Sequence, residues 1–382
     1  MNEAKRFRLA AIGDVMLARD VGRHYAEAPG DFAMTGVQRI LQRFDIVCAN
    51  LESPVAVRGR PCAGQDPHVT FRAHPQTLKV LKTLGVSVVS LGNNHALDYG
   101  ESALAETLEL LDDAGIKWVG AGRNYTEANQ PLLLDVGGRR VAFLSHVFIY
   151  SVNTRMATGT RAGVSDHRLP RILGRIRELR RSGYDVVVMS HWGIEYHFYP
   201  LPYQMRAARR IIDAGASLIL GHGPHYPQGI EDYHDGRIVY SLGNFIFDEP
   251  HKYANRSFIF GAEIGDSGVS NGQVFPIHIR RHVPAIVEGP ERRRLERLIQ
   301  TLGTRYPQKN QDFWRRLSIS YFTELCGRVI RGRSLKYLLV PTMSFYADVG
   351  PLALLRKLKL SSITAMCRSL IQARLAVSSR RA

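Results

Sequence analysis

The chain has 382 residues, 45% of them hydrophobic and 22% charged, which is enough apolar content for a packed core and excludes a disordered tail. Its four cysteines, Cys48, Cys62, Cys326 and Cys367, stand far apart with no C-x-x-C pair, which argues against a disulfide scaffold or a thiolate zinc site and fits a reducing compartment. The net charge of +17 sits mostly at one end, because residues 291–382 hold 19 Lys and Arg against 5 Asp and Glu; such asymmetry suggests an appendage that meets something anionic.

The first segment, "MNEAKRFRLAAIGD", has a short apolar run that stops at Gly and Asp. It is too short for a signal peptide, and a first strand is expected over residues 7–13. Further apolar runs rich in Val, Ile and Leu follow at "FDIVCA", "VSVVSL", "RVAFLS", "YDVVVMS" and "ASLILG". Continuous runs of this kind suit strands buried on both faces. Helical patterns lie between several of them. "PQTLKVLKTLG" opens on Pro75 and closes at Gly85, and "ESALAETLELLDDAG" puts Leu104, Thr107, Leu108 and Leu111 on one face. "LPRILGRIRELRRSG" and "YQMRAARRIIDAG" read the same way. The alternation predicts a layered α/β fold over residues 7–285. After Pro284, Gly289 and Pro290 the pattern changes, and residues 291–382 read as a basic, mostly helical extension. No apolar run is long enough to span a membrane. The expected location is the cytoplasm, or the inner face of the membrane as a peripheral protein.

The polar residues gather where the strands end. Asp14 follows the first strand, Asn50 and Glu52 the second, and "LGNNHALDYG" the third, with Asn93, Asn94, His95 and Asp98. His191 and Glu195 follow "VVVMS", and His222 and His225 follow "LILG". In open α/β sheets ligands bind beyond the carboxyl ends of the strands, so five strand ends are expected to converge on one crevice. Taken singly, these residues have plain structural explanations: Asp14 as a helix cap, "GNNH" as a turn, His191 as a packed histidine. Their joint arrangement carries the inference. Carboxylate, amide and imidazole donors without thiolate suit one or two divalent ions, Mn, Fe or Zn. A pair of ions about 3.5–4 Å apart can clamp the attacking and leaving oxygens of a hydrolysis. An imidazole beside them, such as His95, can protonate a leaving group. The remaining histidines, among them His68, His74, His146, His167 and His197, are expected to be solvated or packed.

In order along the chain, "GDVMLARDVG", "ANLESPV", "LGNNHALDYG", "SHWGIEY", "GHGPHYPQGIE" and "VYSLGNFIFD" resemble the blocks of the CapA family. That family is associated with bacterial capsule and poly-γ-glutamate synthesis and is related to the calcineurin-like metallophosphoesterases. The resemblance implies a metallophosphatase-like four-layer α/β/β/α sandwich. It also implies metal ligands at Asp14, Glu52, Asn94, His191, His222 and His225, with His95 as the acid. Met16 stands where the phosphoesterase pattern has His, and "GHGPH" has one residue more than its "GHxH". Asn50, Asn93, Asp98, Glu195 and Asn244 are expected to support the ligands, although Asn50 is also open as the match to the bridging Asp.

The implied function is a metal-dependent, hydrolase-like role in making a capsule or poly-γ-glutamate-type polymer, with the anionic polymer or its precursor as partner. Two alternatives stand beside it: a metallophosphoesterase acting on a small phosphate ester, and a non-catalytic assembly factor of a polymer-export complex. In the extension, "LALLRKLKLSSITAMCRSLIQARLAV" interleaves Leu and Ile with Arg and Lys. That pattern fits a solvated helix or one lying on anionic lipid. No nucleic-acid-binding motif accompanies the charge, so nucleic acid is not an expected partner.

Overall fold

In a computed structural model, residues 5–27, 34–148, 154–248, 250–251 and 253–304 are described. The chain divides into two compact units, Met1–Tyr306 and Pro307–Ala382. The second lies outside the described residues, and with it the helix expected near residue 350 and its contact with lipid.

The first unit opens with β1 (Phe7–Val15), α1 (Arg19–Glu27), α2 (Thr35–Leu41), β2 (Ile46–Leu51), α3 (Leu78–Thr83), β3 (Val88–Ser90), α4 (Gly100–Asp113) and β4 (Lys117–Val119). It continues through β5 (Ala121–Gly122), α5 (Tyr125–Asn129), β6 (Leu132–Val136), β7 (Arg139–Val147), β8 (Gly163–Val164), α6 (Leu169–Arg181), β9 (Asp185–His191), α7 (Pro202–Asp213) and β10 (Leu218–His222). Then come β11 (Ile230–Tyr233), β12 (Gly236–Val239), β13 (Asn244–Ile246), β14 (Arg256–Gly265), β15 (Gly268–Arg280), β16 (Val283–Ile286) and α8 (Gly289–Thr304). No helix among the described residues is long and apolar enough to cross a membrane.

Two sheets stack face to face. One runs β16-β15-β14-β1-β2-β3-β4, with β13 also paired to β1, and the other runs β11-β12-β10-β9-β7-β6. In the first, β1 to β4 are parallel neighbours, and in the second β7, β9, β10 and β12 are. Side chains of a strand alternate between faces. Ile46 and Cys48 of β2, Val187 and Met189 of β9, and Leu218 and Leu220 of β10 share one buried cluster between the sheets. Val47 and Ala49 join a second cluster with residues of α1 to α4. On the far side, α6 buries Ile172, Leu173, Ile176 and Leu179, and α7 buries Ala207, Ala208, Ile211 and Ile212. The result is the expected four-layer α/β/β/α sandwich. Being covered on both faces, β2 and β9 are buried at every position, which is why they read as unbroken apolar runs.

All six expected strands form, as do the helices α3, α4, α6 and α7. Strands β11, β12 and β14 to β16 were not expected; apart from the parallel pairing of β12 with β10, they form antiparallel pairs. Their signal is weak because β15 is largely half-exposed and carries Pro276. The turn joining β14 to β15, between paired Gly265 and Gly268, holds Asp266 and Ser267, common turn residues but not the Asn-Gly or Gly-Gly pair that marks a hairpin in sequence. The helix expected over 291–303 also forms, as α8, but it belongs to the first unit rather than to the extension. Leu295, Ile299 and Leu302 are its buried residues, and Ile299 joins the cluster between the sheets.

A close backbone approach fixes the position of Asp14. A Cβ at Gly13 would lie 1.9 Å from the Gly243 carbonyl oxygen, which accepts the Asp14 N–H at 2.9 Å. Only glycine lets β1 and the start of β13 meet there. Gly13→Ala is therefore expected to cost about 3 kcal/mol or more, since the obstacle is backbone rather than a movable side chain. Urea unfolding monitored by circular dichroism measures this, and an unchanged midpoint contradicts the close packing.

Candidate metal centre

The register of the two sheets brings their polar ends together. In the first sheet Asp14 pairs with Asn50 on one side and Asn244 on the other, and Asn50 pairs with Ser90. In the second, His222 pairs with His191. Asn50, His191 and His222 continue the alternation of the residues that face between the sheets, one step past the apolar core. The site is thus the polar rim of the inter-sheet core. Asp14 reaches it through a register shift between Ala11 and Asp14, the kind of irregularity that re-aims a side chain.

Asp14 is fully buried. Its Oδ1 accepts from the Asn50 amide at 2.9 Å and lies 3.1 Å from His222 Nδ1. Its Oδ2 accepts the Gly223 N–H at 3.3 Å and lies 3.5 Å from His225 Nδ1. Asn50 is the hub: its amide nitrogen also donates to Glu52 Oε2 at 3.1 Å and lies 3.4 Å from His191 Nδ1. Asn93 donates to Asn50 Oδ1 at 3.2 Å and accepts the His95 N–H at 3.0 Å. Asn244 Oδ1 meets His225 Nδ1 at 2.8 Å, and His225 holds a left-handed φ of 59°, an uncommon backbone for a non-glycine residue. Asn94 is buried in the same turn as Asn93 and His95. Met16 is buried in the apolar cluster, where its sulfur accepts the Ala18 N–H.

Glu52 Oε1 is the focus. It is buried without a hydrogen-bond partner. Three imidazole Nε2 atoms surround it, those of His191 and His225 at 3.8 Å and that of His95 at 3.9 Å. These gaps are too long for hydrogen bonds. Metal–ligand bonds to nitrogen and oxygen are about 2.0–2.2 Å, so two ligands of one ion lie no more than about 4.4 Å apart. Asp14, Glu52 and His191 each offer a ligand atom within 4.8 Å of the others, all buried. His222 Nε2 is a further buried atom without a partner. The donor set therefore fits a divalent cation and contains no sulfur, as oxygen- and nitrogen-preferring metals require.

The electrostatics agree. Burial alone would raise the Asp14 carboxyl, but hydrogen bonds and charge from His222 and His225 hold it well below the usual carboxylate range. Burial, then the charge of Asp14, pushes Glu52 well above its usual value. Burial lowers His191 to about 3, so it is neutral and ready to ligate. Burial would lower His225 too, yet the carboxylates of Glu52 and Asp14 prevail and raise it to about 10. Glu195 acts on Glu52 and His225 through space. A cation arriving near Glu52 and His225 must displace protons from them. Mn affinity is accordingly expected to rise from about pH 6 to about pH 8, with proton release seen by calorimetry in two buffers of different ionisation enthalpy. Affinity that falls with rising pH contradicts this arrangement.

Several neighbours escaped the sequence pattern. Phe71 packs against His95 with ring centroids 4.4 Å apart and ring planes tilted by 31°, and its N–H donates to Asp98 Oδ2 at 2.7 Å. Gln65 donates to Asp98 Oδ1 at 3.0 Å. Arg19, in a left-handed conformation, lies over Phe71 and pairs with Asp248. Tyr196 and Phe247 pack on the His225 ring. Arg19, Tyr196, Phe247 and Asp248 lay within recognised blocks without being singled out; Phe71 and Gln65 sit in an irregular loop with no pattern to single them out.

Residues 8–249 match the family described as "Bacterial capsule synthesis protein PGA_cap". The capsule biosynthesis protein CapA of Bacillus anthracis is 30% identical over 287 residues, covering 74% of this chain and 70% of that protein. The PGA biosynthesis protein CapA of Bacillus subtilis (strain 168) is 31% identical over 278 residues, covering 72% and 73%. Among solved structures, a putative 5'-nucleotidase from Staphylococcus aureus aligns at 12% identity and a TM-score of 0.45, covering 77% of this chain and 58% of that one.

Proposed function

The chain belongs to the bacterial capsule synthesis protein PGA_cap family, and from that premise we propose that it is a metal-dependent hydrolase in the production of a capsule or poly-γ-glutamate-type polymer. Asp14, Glu52, Asn94, His191, His222 and His225 would hold one or two divalent ions, of Mn, Fe or Zn. When bound, such an ion supplies Lewis acidity, polarising a substrate oxygen and lowering the pKa of water. The observation that carries this reading is Glu52 Oε1, buried, unpartnered and faced by three imidazole nitrogens.

The chain's own groups then have distinct tasks. Asn50 holds both carboxylates in place through one amide. Asp98 accepts from His95 Nδ1 at 2.8 Å, which leaves Nε2 as the atom facing the site. In the protonated imidazole Nε2 donates to a departing oxygen or nitrogen, and the Asp98 carboxylate steadies the charge. Phe71 covers one face of that ring and limits its exposure to water. The His95–Asp98 pair is what favours catalysis over a purely assembling role, which does not need an oriented proton donor.

The test is direct. The purified protein, loaded with Mn, is incubated with γ-linked glutamate oligomers, p-nitrophenyl phosphate and bis-p-nitrophenyl phosphate. Release of shorter oligomers supports the polymer substrate, and release of nitrophenol alone assigns the site to a phosphate ester. No turnover of any of them, together with no metal uptake, sinks the proposal.

A further inference from the structure

On the other side of the second sheet lies a cavity of about 310 Å3, lined by β7, α5 and α6. His146 lines it from β7. Its register partner is Ser190, next to His191, so His146 points to the opposite face of the sheet from the candidate metal centre. The residue is 6% exposed. Its Nδ1 lies 2.9 Å from the Asp166 carbonyl oxygen. A carbonyl only accepts, so Nδ1 carries the proton and Nε2 the lone pair. Burial lowers the ring to about 4, which keeps it in that neutral form. Nε2 is buried and has no hydrogen-bond partner. A buried acceptor left unpaired is unfavourable, and the position calls for a donor entering from the cavity.

Two arginines, Arg171 and Arg175, line the cavity together with one carboxylate, Asp166. Arg171 donates to the Asp166 carboxylate at 2.9 Å and to the Tyr125 hydroxyl at 2.8 Å. Arg168 also binds Asp166, and Arg175 donates to Glu178 at 2.7 Å. Counting the neighbouring Arg168 and Glu178, which do not line the cavity, three guanidinium groups share two carboxylates, which leaves positive charge for an incoming anion. The Asn129 side chain ties the wall together, accepting the Asp166 N–H at 2.7 Å.

We propose that this cavity binds a small carboxylate bearing a hydrogen-bond donor, with the donor on His146 Nε2 and the carboxylate on Arg171 and Arg175. Its volume is at the low end of ligand pockets, roughly 300–1,000 Å3, so it takes a monomer-sized ligand and not a length of polymer. An amide N–H beside a carboxylate, as in an acylated glutamate, and a hydroxyl beside a carboxylate, as in a uronic acid, both meet these requirements. The inference does not depend on the metal-dependent reading, because the two sites occupy different faces of the sheet.

Isothermal titration of the full chain with N-acetylglutamate, glucuronate and succinate tests it, succinate being a carboxylate without an amide or hydroxyl donor. Either of the first two is expected to bind with a Kd below about 10 mM and more tightly than succinate, and the tighter of the pair identifies the source. His146→Leu is expected to weaken that ligand about tenfold or more and to leave succinate unchanged. Arg175→Gln, on a half-exposed face of α6 where folding is not at stake, is expected to weaken all three. Metal uptake by both variants is expected to match the parent chain. Failure of every ligand to bind overturns the proposal, as does binding that neither substitution alters.

Discussion

Replacing Glu52 by Gln is expected to leave the fold intact and to remove the stabilisation that a divalent cation gives. Glu52 is buried, and its Oε2 accepts from Asn50, a bond that the Gln oxygen keeps. Without a cation, burial and the Asp14 charge favour the neutral carboxyl, which the amide imitates in shape and charge. The melting temperature of the metal-free variant should stay within about 3 °C of the parent. A site-specific ion at a hundred times its Kd stabilises the parent by about 2.7 kcal/mol, and the variant should gain none of this. Its metal retention is expected to fall by more than the roughly 10–100-fold typical of residues that only steady a ligand. Thermal melts with and without Mn, together with elemental analysis, provide both readouts. Glu52→Gln protein that keeps a full complement of metal contradicts the assignment. Asp14→Ala offers the contrast. It leaves the Asn50 amide, the Gly223 N–H and His222 without their carboxylate, so it is expected to destabilise the metal-free fold as well.

His95→Gln is expected to lower turnover of the substrate found in the hydrolysis screen by about 10²–10⁴-fold, the span attributable to a positioned acid. Bound metal should change little, because Asp14, Glu52, His191, His222 and His225 remain. Asp98→Asn keeps a side-chain oxygen to accept the Phe71 N–H but no longer offers a charged partner to His95 Nδ1. It should reduce turnover in the same direction by a smaller factor. The pH–rate profile separates the roles: loss of the acid removes the alkaline limb, whereas a packing defect scales the whole curve. Equal rates for His95→Gln and the parent chain would show that proton delivery comes from elsewhere.

The candidate site was legible because its residues lie immediately after apolar runs. His191 follows "VVVMS" and His222 ends "LILGH", and a strand buried on both faces announces itself in one dimension. Asn50 was harder to place. Its chemistry resembles a loop amide, yet it is the group joining Asp14, Glu52 and Asn93. Phe71 and Gln65 meet Asp98 across 27 and 33 positions of chain, which no local pattern encodes. His146 was expected to be solvated or packed. It is buried, but what distinguishes it is an unmade hydrogen bond, and no spacing rule reports that.

The sequence by itself determined the alternation of buried strands and amphipathic helices, the family and the types of polar atom gathered at the strand ends, because hydrophobic period and donor chemistry are properties of neighbouring residues. The tertiary structure alone decided that β1, β2, β9 and β10 end at one rim, that Glu52 rather than Asn50 turns an oxygen toward three imidazoles, and that α8 joins the first unit. Those outcomes depend on register and on the stacking of two sheets, where a shift of one residue along a strand would send every one of its side chains to the opposite face.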